Sequence, residues 1–211
     1  ALERRAITAD EESGSARDDD WGALSRLGGL VSLRSGIYFG LQAFIPAYFV
    51  TQLGATESLG NAALAAMLVA GAVGTLAGGL VVDRFGPRFV VVGSMLLLLP
   101  LLAALPLVGK TAAFVLLIPI GFLTIANFSV TVVLGQAFLP SRLGLASGLM
   151  IGTAIGVGGI AAALLGVLAD AQGVESVLWA IAIMPLPALL LALTLPRVNV
   201  QTPSVAATQG V

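Results

Sequence analysis

The chain has 211 residues, 58% of them hydrophobic and 10% charged, where a soluble domain carries about 25% charged residues. That leaves too little polar surface to face water, so the solvent of most of this chain is lipid, and no nucleic-acid partner is expected. With neither histidine nor cysteine, disulfides, thiolate chemistry, Ser-His catalytic pairs and the usual zinc sites are excluded, and no metal or other cofactor is expected. The formal net charge of -1 says little, because in a membrane protein the placement of charges matters more than their sum.

Residues 1–24 hold Asp10, Glu11, Glu12, Asp18, Asp19 and Asp20 around Ser13, Gly14 and Ser15. Too little apolar surface is present to offset chain entropy, and the composition predicts a disordered acidic linker or tail. The chain starts with Ala1, and charge precedes the first apolar run. This is not the order of a signal peptide, and the reading is of a segment cut from a longer polypeptide.

Six apolar stretches follow, near 27–51, 60–82, 89–107, 112–138, 143–169 and 175–195. Each has about 20 residues or more, enough to span a hydrocarbon layer of roughly 30 Å. The prediction is an all-α, polytopic bundle of six transmembrane helices over residues 25–197, with a C-terminal tail over 198–211. Short breaks with turn chemistry separate the spans and force antiparallel neighbours: Gly54 to Ser58, Asp83 to Arg88, Gly109 and Lys110, Pro140 to Arg142, Asp170 to Gly173. Pro46, Pro100, Pro119, Pro185 and Pro187 fall inside spans, which a lipid-buried bundle tolerates when neighbours satisfy the freed backbone groups.

Basic residues set the orientation. With the N-terminal tail in the cytoplasm, Arg4, Arg5, Arg17, Arg26, Arg84, Arg88, Arg142 and Arg197 lie inside and Lys110 alone lies outside. This asymmetry follows the positive-inside rule and predicts a multi-pass protein of the cell membrane with both termini cytoplasmic.

In the first span Arg34 lies about 10 Å deep, at about 1.5 Å per residue. An arginine near the bilayer centre costs on the order of 3 kcal/mol. Two readings stay open: a cavity-facing cation, binding an anionic substrate or a carboxylate from elsewhere, or a side chain snorkelling to the headgroups. Tyr38 and Gln42 follow at helical spacing and make one polar stripe with it. In the fourth span Asn127, Thr131 and Gln136, with Thr124, offer amides and hydroxyls either to a ligand or as glue between helices. In the fifth, Gly144, Gly148, Gly152 and Gly156 recur every four residues. That spacing suits static close packing or a face on which helices rock past one another. No carboxylate lies deep in any span, so a proton carrier would have to come from outside this chain.

Between the second and third spans runs Gly79-Leu80-Val81-Val82-Asp83-Arg84-Phe85-Gly86-Pro87-Arg88. Asp83 closes a helix against the negative end of its dipole and requires a positive partner, while Gly86 permits the reversal. The string resembles the cytoplasmic loop signature G-x-x-x-D-R-x-G-R-R of the major facilitator superfamily, with Pro87 in place of the first closing arginine. Residues 127–136 and 139–148, together with Leu33-Arg34-Ser35 and Tyr38-Phe39-Gly40-Leu41, resemble the C-terminal half of fosmidomycin-resistance-type exporters.

The resemblance implies one six-helix half of a secondary transporter, working with an absent N-terminal six-helix half. It implies antiport driven by protons, with efflux of a small drug-like or phosphonate molecule. Arg34, Tyr38, Gln42, Asn127, Thr131 and Gln136 would then be cavity candidates, and Gly79, Asp83, Arg84, Gly86 and Arg88 a cytoplasmic gate. The rival reading is a stand-alone six-helix membrane subunit or scaffold that dimerises. An intramembrane serine protease is excluded by the absent histidine, and catalysis is not expected.

Overall fold

A computed structural model describes residues 19–196, except for the side chain of Asp83. The expected linker up to residue 18, the tail from 198, and Arg4, Arg5, Arg17 and Arg197 lie outside the described residues.

The described residues are all-α. The first helix, α1 (Trp21–Thr51), starts earlier than the apolar run itself because Asp20 caps it, its Oδ1 accepting from the Ala23 N–H at 2.8 Å. Thr56 caps α2 (Glu57–Phe85), whose Oγ1 accepts from the Leu59 N–H at 3.3 Å, and Glu57 sits at the positive end of that helix. Gly86, at φ +83°, ends α2 and donates to the Val82 carbonyl at 2.8 Å. Pro87 then opens α3 (Pro87–Ala104), where its missing N–H would have been unpaired anyway. A 3-10 turn, Leu105–Leu107, leads to α4 (Lys110–Phe138), and a second one, Pro140–Arg142, leads to α5 (Leu143–Gln172).

The last predicted span is two helices, α6 (Val174–Ile183) and α7 (Pro185–Thr194). Pro185 has no N–H to continue the ladder, so α6 closes through the Met184 N–H on the Ile181 carbonyl at 3.2 Å. Pro46, Pro100 and Pro119 stay inside their helices.

Five segments are long and apolar enough to cross a membrane: Glu57–Val82, Pro87–Leu107, Lys110–Phe138, Pro140–Gln172 and Val174–Thr194. The 31-residue α1 is not among them. Its length would reach about 46 Å at about 1.5 Å per residue, but Arg26, Arg34 and Gln42 dilute its apolar character.

Helix α1 runs through the bundle against α2, α4, α5, α6 and α7, and α2 lies along α4. Backbone-to-backbone approach makes the second pairing close. Gly74 and Gly78 meet the carbonyls of Phe122 and Ala126, and Gly121 meets that of Met67. Small residues permit this contact where the hydrophobic effect gives no drive between helices.

One end of the bundle gathers the starts of α1 and α3 with the ends of α4 and α7. Arg26 donates to the Thr194 carbonyl at 3.3 Å, Arg88 to the Leu193 carbonyl at 2.7 Å, and the Asp20 N–H to the Phe138 carbonyl at 2.9 Å. Asp19 accepts from the Ser141 hydroxyl at the same end. At the other end Tyr48 donates to the Leu105 carbonyl at 3.3 Å.

Candidate functional site

The apolar core is not continuous along the bundle axis. One cluster gathers Leu24, Leu27, Val31, Val91, Leu134 and Ala192 near the arginine-rich end. Another gathers Ile37, Leu41, Met95, Leu98, Leu117 and Ile181 toward the far end. On α1 the boundary falls at Arg34 and Ser35, on α3 at Ser94, and on α4 at Thr124 and Asn127. These five, with Thr131, are the buried polar side chains among the described residues. The bundle therefore carries a polar layer across its middle.

Arg34 is 3% exposed. Its Nη1 donates to the Thr124 carbonyl at 3.3 Å and its Nη2 to the Ser35 hydroxyl at 3.4 Å, while its Nε has no partner in the structure. The Phe128 ring lies 5.6 Å from its Cζ, within cation–π range. Both hydrogen bonds are long and both acceptors neutral, whereas a buried guanidinium is best satisfied by an anion with short, charge-assisted bonds.

Beside it lies a partly open cavity of about 240 Å³. Arg34, Ser35, Tyr38 and Phe39 of α1 form one wall, two successive pairs at helical spacing. Ile125 and Phe128 of α4 face them, and Ala154 and Ile155 of α5 close the side. Tyr38 and Phe39 meet edge to face at 5.3 Å. Phe39 is seated by Gly158, where any side chain would collide with its ring. No carboxylate is among the lining residues.

Of the residues singled out in the sequence, the cavity brings together Arg34 and Tyr38. Gln42 is half-buried farther along α1 and is not part of the lining. Asn127 is fully buried and donates from Nδ2 to the Ser94 hydroxyl, joining α4 to α3. Its Oδ1 has no partner in the structure. Thr131 turns its hydroxyl back onto the carbonyls of Asn127 and Phe128 at 3.1 and 2.9 Å. Gln136 donates to the Ser147 hydroxyl at 2.7 Å, joining α4 to α5.

Among the described residues nothing lies within 4 Å of a Cβ built at Gly144, Gly148, Gly152 or Gly156. Their face of α5 is open, and the glycines that meet a neighbouring helix's backbone at close range lie on α2 and α4, while Gly158 of α5 meets only the Phe39 ring. Gly79 is likewise open, and Gly86 makes the turn at φ +83°. Arg84 lies over the Phe85 ring at 5.6 Å, and Arg88 is engaged with α7.

Sequence reasoning missed Ser35, Phe39, Ile125, Phe128, Ala154 and Ile155. Ser35 and Phe39 repeat the Arg34 and Tyr38 spacing one residue on, a signal open to reading. The apolar walls from α4 and α5 have no polar mark to separate them from lipid-facing residues.

The model of the Major Facilitator Superfamily matches residues 27–210. The chain belongs to that family of transporters. It is 45% identical over 123 residues to an uncharacterized MFS-type transporter, YfnC, of Bacillus subtilis, an alignment covering 58% of this chain and 30% of the relative. It is 36% identical over 150 residues to the fosmidomycin resistance protein of Escherichia coli, covering 71% of this chain and 37% of that protein. The chain thus spans about a third of the length of the curated relatives it matches. With its apolar helices, the family assignment makes this a multi-pass membrane protein.

Proposed function

We propose that this chain is the C-terminal six-helix half of a secondary active transporter of the cell membrane. In this reading it exports a small drug-like molecule in exchange for protons, by alternating access to the cavity at Arg34. The observation that carries the reading is the placement of that cavity. It sits in the polar layer at mid-bundle, where transporters of this kind hold their substrates.

The cavity is walled in part by α5, which like α2 is left largely uncovered among the described residues. In the most apolar stretches of α2 and α5, 22% and 17% of residues are buried, against 39 to 44% in the other three apolar segments. An N-terminal six-helix half packed on α2 and α5 would cover those faces and enclose the cavity. The sixth span is then α1, whose Arg34 is tolerated because it faces that enclosed space rather than lipid.

In this reading both termini face the cytoplasm, on the side of the arginine-rich end, as the positive-inside rule expects. The loop carrying Gly79, Asp83, Arg84, Gly86 and Arg88 acts there as a gate. The acidic residues of this chain lie at helix ends and in its terminal segment, so the proton carrier belongs to the other half. The cavity's lining of one guanidinium, two hydroxyl side chains and apolar groups suits the binding and export of a small molecule.

Fosmidomycin, named for one relative, is the first substrate to test. The full-length gene product, reconstituted in liposomes under an imposed pH gradient, is expected to move fosmidomycin against its concentration gradient, with movement stopping when the gradient is collapsed. Transport that persists without the gradient would remove proton coupling. A full-length product that proves to be a six-helix dimer with no transport would favour the scaffold reading.

A further inference from the structure

The geometry points to an amphiphilic organic anion as the substrate class: one carboxylate or phosphonate group joined to an apolar, ring-sized body. The inference rests on the transport reading above and deepens it by saying what the Arg34 cavity selects.

Charge comes first. Arg34 is a full cation, 3% exposed, in the middle of an apolar bundle, and its contacts are a carbonyl at 3.3 Å and a hydroxyl at 3.4 Å. Neither neutralises it. Nη1 and Nη2 each keep a second N–H after these bonds, and the Nε–H is unpaired. A guanidinium with donors to spare matches a planar carboxylate or a phosphonate. The Ser35 and Tyr38 hydroxyls stand at the same wall and can donate to the remaining oxygens.

A carboxylate fixed on the other half is the competing way to neutralise Arg34. It fits the structure less well. A permanent ion pair needs no room beside it, yet about 240 Å³ adjoins the guanidinium.

The rest of the lining sets the body of the ligand. Phe39, Ile125, Phe128, Ala154 and Ile155 offer aromatic and aliphatic surface with no further polar side chain. A strongly hydrated ligand such as a sugar would lose water there and recover few hydrogen bonds. A flat apolar body stacks instead on Phe39 and Phe128, while its charged end reaches Arg34.

The test uses the complete transporter in detergent with four probes: 1-naphthoate, its neutral amide 1-naphthamide, the cation 1-naphthylmethylammonium, and acetate. Binding is read by calorimetry, separately from transport in liposomes. The expectation is that naphthoate binds at least about tenfold more tightly than naphthamide, a difference of about 1.4 kcal/mol. Naphthylmethylammonium and acetate should bind more weakly still, the first for its charge and the second for its missing body.

Arg34→Gln should erase the difference between naphthoate and naphthamide, and Arg34→Lys should keep it in part. Should Arg34→Gln not fold, the wild-type ranking with Arg34→Lys decides. Equal binding of naphthoate and naphthamide by the wild-type protein would overturn the inference, as would an anion preference that survives Arg34→Gln. Selective binding without any transport would leave the ligand class standing and remove the export reading.

Discussion

Arg34 of α1 and Thr124 of α4 are joined across the middle of the bundle, the guanidinium Nη1 donating to the Thr124 carbonyl at 3.3 Å. The bond ties the cavity's one cation to the helix that carries Phe128, so charge and aromatic wall are held in fixed relation. Replacing Arg34 by alanine is expected to reduce transport by the complete protein at least about a hundredfold, roughly 3 kcal/mol at the transport step. Membrane insertion should be unchanged. Transport assays beside quantitative immunoblots of membranes check this, and retained transport would remove the cavity role.

The contact of α2 with α4 should be sensitive to single methyl groups. A Cβ at Gly78 would lie 2.7 Å from the Ala126 carbonyl oxygen, and the backbone there cannot give way cheaply. Gly78→Ala is expected to destabilise by about 1–3 kcal/mol, seen as a lower melting temperature in detergent. Gly148→Ala meets open space among the described residues and is expected to leave the fold of this chain unharmed.

Asn127 separates two roles. It is buried on the α3 side of α4 and bonded to Ser94. Asn127→Ala is expected to cost stability, about 0.6 kcal/mol for the lost interhelical bond plus the void, with the KM for substrate within about twofold of wild type. Ligand-free melting curves and transport kinetics check it. A large rise in KM at unchanged stability would place the amide in the substrate path instead.

The fold was legible in the sequence to the extent that lipid dictates it. Apolar runs of spanning length and short Gly- and Pro-bearing turns each have a direct physical cause, and the helices lie on the predicted stretches, with the first starting earlier, at Trp21, and the last divided in two. The break at Pro185 was harder to see, because Pro46, Pro100 and Pro119 have the same chemistry and stay inside continuous helices. Arg34 and Tyr38 stood out because polar groups in a span are costly. Phe128 and Ile155 did not, since an apolar side chain reads alike whether it faces lipid, core or cavity. The open glycine stripe of α5 shows the same limit. Small-residue spacing marks a face capable of close contact, and the partner is a matter of three-dimensional packing.

Arg26 and Arg88 clamp the C-terminal end of α7 by donating to the Thr194 and Leu193 carbonyls. Cations at a helix C-terminus contribute about 0.3–1 kcal/mol each when exposed. The double replacement Arg26→Ala with Arg88→Ala is expected to speed hydrogen exchange in the last turn of α7 while α4 exchanges as before. Unchanged exchange in that turn would show that the two arginines do not hold it.

The Tyr38 and Arg34 wall is proposed to face a substrate cavity reached alternately from the two sides of the membrane. This chain has no cysteine, so Tyr38→Cys, in a full-length protein otherwise free of cysteine, gives one reporter on that wall. Labelling with a membrane-impermeant maleimide, applied from each side in turn, is expected to succeed from both sides and to slow when substrate is present. Labelling only by a lipid-soluble reagent, with no protection by substrate, would put this face against lipid and leave no substrate path at Arg34.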